Sequence, residues 1–119
     1  MNPELLGIHH VTAVTANARA NHQFYTQVLG MRLVKKTVNQ DDVSAYHLFY
    51  ADAKGSPGTD LTFFDFGDIA RQRHGNNSIT RTGLRVQGVD TLRWWLARFD
   101  QLQIRHSKIL DRDQYELID

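Results

Sequence analysis

The sequence predicts an α+β fold of paired βαβββ modules, with the second module one strand shorter than the first. Three observations lead there. Period-two runs of β-branched and aromatic residues alternate with two segments whose apolar residues recur at helical spacing, and the same pattern restarts about seventy residues along with little residue identity. With 119 residues, the chain has room for one domain's worth of core.

The first run, LGIHHVTAVT at 6–15, puts Ile8, His10, Thr12 and Val14 on one face and His9, Val11 and Ala13 on the other. Asn17 then offers a cap to a helix over about 18–29, in which Ala20, Phe24, Val28 and Leu29 share a face and Gly30 follows as the left-handed terminator. Three strands are predicted next, at 31–38, 43–50 and 61–66, separated by Asn39-Gln40-Asp41-Asp42 and Lys54-Gly55-Ser56-Pro57-Gly58-Thr59. Residues 68–77 lack periodicity and predict a linker. ITRTGLRV at 79–86 restarts the pattern as a strand. Asp90 can cap a helix carrying Leu92, Trp95, Leu96, Phe99 and Leu102, and HSKILDRDQYELID at 106–119 supplies one or two strands more. Residues 1–119 therefore read as a single domain, with module one over about 1–67 and an incomplete module two over about 78–119.

Fourteen Lys and Arg against thirteen Asp and Glu leave a net charge of +1, which gives no field for nucleic acid or an anionic membrane. The absence of cysteine removes disulfides, thiolate ligands and thiol nucleophiles, so metal ligands must come from His, Asp and Glu. Apolar runs fall far short of the ~20 residues of a membrane helix. Met1-Asn2-Pro3-Glu4 lacks the basic start of an export signal, and a cytoplasmic, unprocessed protein is expected.

Six histidines are the chemically informative residues. Neighbours on a strand point to opposite faces, so at most one of His9 and His10 can enter a cavity on either side. Both can equally be strand histidines satisfied by backbone carbonyls. His47, in YHLFY, either lines a cavity or is a hydrogen-bonded sheet residue, whereas His22, His74 and His106 read as surface residues. Phe49, Phe63, Phe64, Phe66, Tyr46 and Tyr50 suit an aromatic ligand, although cross-strand packing accounts for most of them. Lys35 and Lys36 could attract a phenolate. Trp94 and Trp95 point about a hundred degrees apart, so one packs and the other is partly exposed. GSPGT lacks the length and Lys-Ser/Thr ending of a phosphate loop and reads as a turn. Glu116, with Asp111, Asp113 and Asp119, reads as a solvated strand edge.

The segments GIHHVTAVT, FYTQVLGMRLVKKTVN and YHLFYADAKGSPGTDLTFF resemble the amino-terminal part of the glyoxalase-like, vicinal oxygen chelate proteins, and within them the ring-cleaving dioxygenases of hydroquinones. The likeness covers residues 5–66 closely and 78–102 more loosely. It implies glyoxalase-like βαβββ modules that curl mixed sheets around a metal and its substrate, and it makes this chain the front portion of a longer enzyme of aromatic compound degradation. By that resemblance His10 ligates Fe(II), while His9 is a nearby hydrogen-bonding or acid/base group. The implied partners are a small aromatic substrate, hydroquinone or catechol-like, and O2. A non-heme iron site needs two histidines and a carboxylate. Asp65 is the candidate carboxylate, although it departs from the family's usual residue there, and Thr80 and Arg81 stand where the second module's histidine pair would lie. The set is therefore incomplete within this chain, which leaves three expectations: further carboxy-terminal modules, a homodimer that pools ligands, or a non-catalytic binding module of the same fold. A metal-dependent lyase or isomerase is the remaining alternative on this scaffold.

Overall fold

A computed structural model describes residues 4–38, 40, 43–73 and 75–119. The expectations for Met1–Pro3, Asn39, Asp41, Asp42 and His74 lie outside the described residues. The chain divides into two compact units, Met1–Gln72 and Arg73–Asp119.

In the first unit, β1 (His10–Thr15), β2 (Arg32–Val38), β3 (Tyr46–Ala51) and β4 (Asp60–Asp65) form one sheet in the order β1-β4-β3-β2. β1 runs parallel to β4, and the other pairs are antiparallel. This mixed α+β unit is the βαβββ arrangement that the element order predicts. Between β1 and β2 lies α1 (Ala18–Gln23), continuing as a π-helical turn over Phe24–Val28. Asn17 caps α1 as expected, its Oδ1 accepting from the Ala20 amide at 2.9 Å, and Gly30 takes φ +70. The departure from an all-α helix has a local cause. The Thr26 hydroxyl donates to the His22 carbonyl at 2.6 Å, and the Leu29 amide reaches back five residues to the Phe24 carbonyl.

The core is small and lies on the α1 side of the sheet. Leu48, Tyr50, Leu61 and Phe63 are buried there, with Ala18, Tyr25, Met31 and Leu33 packed against them. Tyr25 stacks on Tyr50 with ring centroids 5.1 Å apart and meets Phe63 at 4.8 Å with the rings tilted. The Tyr50 hydroxyl is buried without a hydrogen-bond partner among the described residues, and burial, with Tyr25 beside it, pushes its pKa up to about 12. A buried donor without a partner bears a desolvation cost of roughly 1–3 kcal/mol. Tyr50→Phe should therefore raise unfolding stability by up to about 1–2 kcal/mol, read as a higher urea midpoint at unchanged slope.

In the second unit, α2 (Gly88–Gln101) is followed by β5 (Leu110–Arg112) and β6 (Tyr115–Leu117), which form a two-stranded hairpin. Asp113 and Gln114 take φ 51 and 69, the left-handed pair of a two-residue hairpin turn. Leu92, Trp95, Leu96 and Phe99 are half-buried on α2, and Trp94 is exposed. Two expectations change. Asp90 does not cap α2; it sits inside the first turn and accepts from Arg93 at 2.8 Å, while Gln87 occupies the cap. Residues 79–86 form no strand, and Ile79 and Leu84 stay exposed. Alternation makes a strand only where a neighbouring strand takes up its ladder, and β5 and β6 pair with each other. Asp119 likewise departs from a merely solvated edge, pairing with Arg112 at 2.8 Å and Arg81 at 3.4 Å.

His106 departs from the surface reading as well. Its Nδ1 lies 2.7 Å from the Ser107 carbonyl, its Nε2 3.1 Å from Asp100, and its ring packs on Phe99. The Ser107 carbonyl first, then Asp100, raises its pKa above the ordinary 6.5. His47 shifts the other way, lowered by burial and then by its electrostatic interaction with His10 and Lys35. The folded state therefore holds the His106 proton more tightly than the unfolded chain. That contribution to stability is fully present below pH 6.5 and is lost as pH rises through the raised folded value. For His47 the unfolded chain binds the proton better, so stability falls as pH drops below 6.5 toward the lowered value. NMR titration of the ring protons should place the His106 midpoint above 6.5 and the His47 midpoint below it. Asp100→Asn should bring the His106 midpoint down.

Candidate functional site on the His10 face

The strand registers divide the sheet's side chains cleanly. β1 contributes His10, Thr12 and Val14 to one face, each opposite Asp60, Thr62 and Phe64 of β4. β3 adds His47 and Phe49, which pair with Phe64 and Thr62, and β2 adds Thr37 and Lys35. The α1 helix covers the other face, so the polar and aromatic residues collect on the open one. His10 shares its face with Thr12 and Val14, as the alternation predicts.

At the β1 end, His9 Nδ1 and His10 Nδ1 are 3.1 Å apart with the rings edge to face. This contact leaves the His10 Nε2 as the nitrogen that can take a ligand. The His9 Nδ1 also lies 3.9 Å from the Asp60 Oδ2. Asp60 is the residue that sequence reasoning missed. Its side chain is only 12% exposed, and its Oδ1 is buried with no hydrogen-bond partner among the described residues. The usable signal was a carboxylate directly preceding the buried Leu61-Thr62-Phe63 run, masked by its place at the end of a turn-forming segment.

That turn also holds the site in place. The Asp52 Oδ1 accepts from the amides of Lys54 and Ser56, and the Ser56 amide above all depresses the Asp52 pKa. The Gly58 amide then donates to the His9 carbonyl at 2.7 Å. Gly58 has φ +86, and a Cβ there would meet the Ile8 carbonyl at 3.4 Å, so glycine lets the turn approach β1 closely.

Further along the face, His47 Nε2 lies 3.0 Å from Thr62 Oγ1, and Thr62 donates to Thr12 Oγ1 at 2.8 Å. The His47 ring lies against Phe49 and Phe64, with centroids 4.1 and 4.0 Å away. Lys35 projects over Phe49 at 5.4 Å.

The structure does not bring Asp65 to His10. Asp65 pairs with Thr15, five residues along β1 from His10, roughly 16 Å away at a strand's rise per residue, and odd spacing puts it on the opposite face. There it lines a hollow of about 400 Å³ with Arg19, His22, Lys36 and Tyr46. Among the described residues no group of three or more His, Asp or Glu side chains is placed to hold a metal ion. The donors near His10 are His9 and Asp60, whose orphaned oxygen suits a cation or a proton donor but does not complete two histidines and a carboxylate. The chain's described residues thus fit one ligand position and not a whole iron centre.

The profile of the Glyoxalase/Bleomycin resistance protein/Dioxygenase superfamily matches residues 7–118. The "Putative ring-cleaving dioxygenase MhqA" of Bacillus subtilis is 53% identical over 106 residues, covering 89% of this chain and 34% of that protein. The "Chlorohydroquinone/hydroquinone 1,2-dioxygenase" of Sphingobium indicum is 31% identical over 108 residues, covering 89% of this chain and 33% of that protein. A crystal structure described as a "putative dioxygenase" from Bacillus subtilis superposes with a TM-score of 0.78 at 30% identity, over 95% of this chain and 36% of the other. The chain spans about a third of the length of the curated relatives it matches.

Proposed function

Because the chain belongs to the Glyoxalase/Bleomycin resistance protein/Dioxygenase superfamily, we propose that it supplies the His10-bearing part of a ring-cleaving dioxygenase acting on hydroquinone- or catechol-like aromatics. One observation carries the reading: His10 is exposed on an open sheet face furnished with hydroxyls and aromatic rings, in a segment similar to proteins named as ring-cleaving dioxygenases. Residues 1–67 form the complete module and 78–119 the incomplete one, and the second histidine and the carboxylate come from outside the described residues or from a second copy of the chain.

Ring cleavage by a dioxygenase places both atoms of O2 in the product while a ring carbon–carbon bond breaks, so the substrate supplies the electrons and no external reductant is consumed. Fe(II), when bound, would supply open positions for the substrate oxygen and O2. His10 offers its Nε2 as one ligand. His9 holds the His10 Nδ1 side at 3.1 Å, which fixes the ring as outer hydrogen bonds to ligating histidines commonly do. The Asp60 Oδ2, 3.9 Å from the same His9 nitrogen, sets a carboxylate charge behind the pair. Phe49, Phe64 and the His47 ring give a planar substrate a stacking wall and exclude water from one side of it.

The test is a chimera in which this chain replaces the matching portion of MhqA, loaded anaerobically with Fe(II) and assayed for O2 uptake with hydroquinone, chlorohydroquinone and catechol. Uptake with ring-opened product supports the reading. A folded, iron-loaded chimera that consumes no O2, beside MhqA that does, refutes it. The absence of a three-donor group among the described residues favours a second reading, a metal-independent binding module. Binding of an aromatic ligand with no turnover and no effect of chelator would select it.

A further inference from the structure

Three strands of the open face each give one residue to a single chain of side-chain hydrogen bonds, His47 on β3, Thr62 on β4 and Thr12 on β1. A hydroxyl carries one hydrogen. With that of Thr62 donated to Thr12, the Thr62 oxygen is an acceptor toward His47, an arrangement that puts the His47 proton on Nε2. Thr12 in turn accepts from Thr62, which leaves its own hydrogen to donate to something above the sheet. Thr12 is exposed, and it sits two residues from His10 on the same face, about 7 Å along the strand. A molecule the size of a phenol can meet both.

Satisfying a buried hydroxyl does not require this much. Thr62 is fully buried, and one partner would satisfy it. The structure provides two, and it clamps the second between Phe49 and Phe64 so that its Nε2 aims at Thr62. Burial, His10 and Lys35 lower the His47 pKa and keep the ring neutral near pH 7, as a ring with a single N–H requires.

We propose that His47, acting through Thr62, fixes the Thr12 hydroxyl as a hydrogen-bond donor to an anionic oxygen of the phenolate class bound beside His10. His47 and Thr62 are then positioning residues, and Thr12 touches the ligand. This assignment rests on the reading of the His10 face as the substrate side, but it concerns the ligand oxygen and not the metal.

The test uses the metal-free chain in the presence of chelator, so its outcome is independent of whether His10 binds iron. Nitrogen-15 NMR of histidine-labelled protein should show His47 with its proton on Nε2 in the wild type and in Thr62→Ser, and a mixture of tautomers in Thr62→Val. Titration with 4-nitrophenolate should show binding weakened about tenfold or more in Thr12→Val and His47→Phe, as for loss of a hydrogen bond to a charged acceptor. Thr12→Ser and His47→Gln keep a donor in place and should retain wild-type affinity within a few-fold. A His47 proton on Nδ1, a tautomer indifferent to Thr62→Val, equal affinities in all variants, or no 4-nitrophenolate binding by the wild type would each overturn the proposal.

Discussion

Phe63→Ala is expected to cost about 3–5 kcal/mol of unfolding free energy, the range for truncating a buried phenylalanine. Phe63 is 6% exposed in the middle of β4, and its ring meets Tyr25 at 4.8 Å and Tyr50 at 6.0 Å. Alanine removes the surface on which the π-helical turn rests, because Tyr25 is the ring that turn sends into the core. The neighbours cannot collapse into the gap, since Tyr50 and Leu61 are fixed by the β3–β4 ladder. Domains of this size commonly hold only 5–15 kcal/mol in total. Urea unfolding followed by circular dichroism should therefore show the midpoint of the variant moved to much lower urea at unchanged slope. A midpoint within experimental error of the wild type would mean that the small aromatic cluster is not the core of this unit.

The second large effect belongs to His10. In the iron-loaded chimera, His10→Ala should reduce O2 uptake to background while leaving the fold intact. His10 is exposed, and its ring rests edge to face on that of His9, so little packing is lost. Losing one of three protein ligands of an iron site, in contrast, removes both affinity and geometry. Asp65→Asn provides the contrast within the same assay. Asp65 lies on the far face beside Arg19 and Lys36, and its loss should leave uptake unchanged. Equal loss in both variants would indicate general destabilisation rather than a ligand position.

The contrast between His10 and Asp65 shows where the sequence was legible. Alternation along β1 gives the correct face for His10, because period-two geometry needs no tertiary information. The helix cap at Asn17 and the left-handed Gly30 were equally readable, since each is a local backbone requirement. Asp65 could be placed in a strand but not on a face relative to His10. That relation depends on the parallel β1–β4 register, which pairs residues 50 positions apart, His10 with Asp60 and Thr15 with Asp65. Asp60 escaped notice for the same reason, as did the Thr12–Thr62–His47 chain, whose members come from three strands. The strand expected at 79–86 illustrates the opposite error. The pattern was present locally, but a strand also needs a neighbour, and a single segment's alternation cannot reveal whether one is available.

The most direct test of the account is where a divalent metal first touches this chain. Titration of the histidine-labelled protein with Co(II) should shift or broaden the His10 ring signals at the lowest metal concentrations, with His9 following through their contact, and His22, His47 and His106 responding later. His10→Ala should abolish that early response. If His22 or His106 responds first, or if the wild type and His10→Ala titrate alike, His10 is not a metal-ligand position and the dioxygenase reading of its face falls.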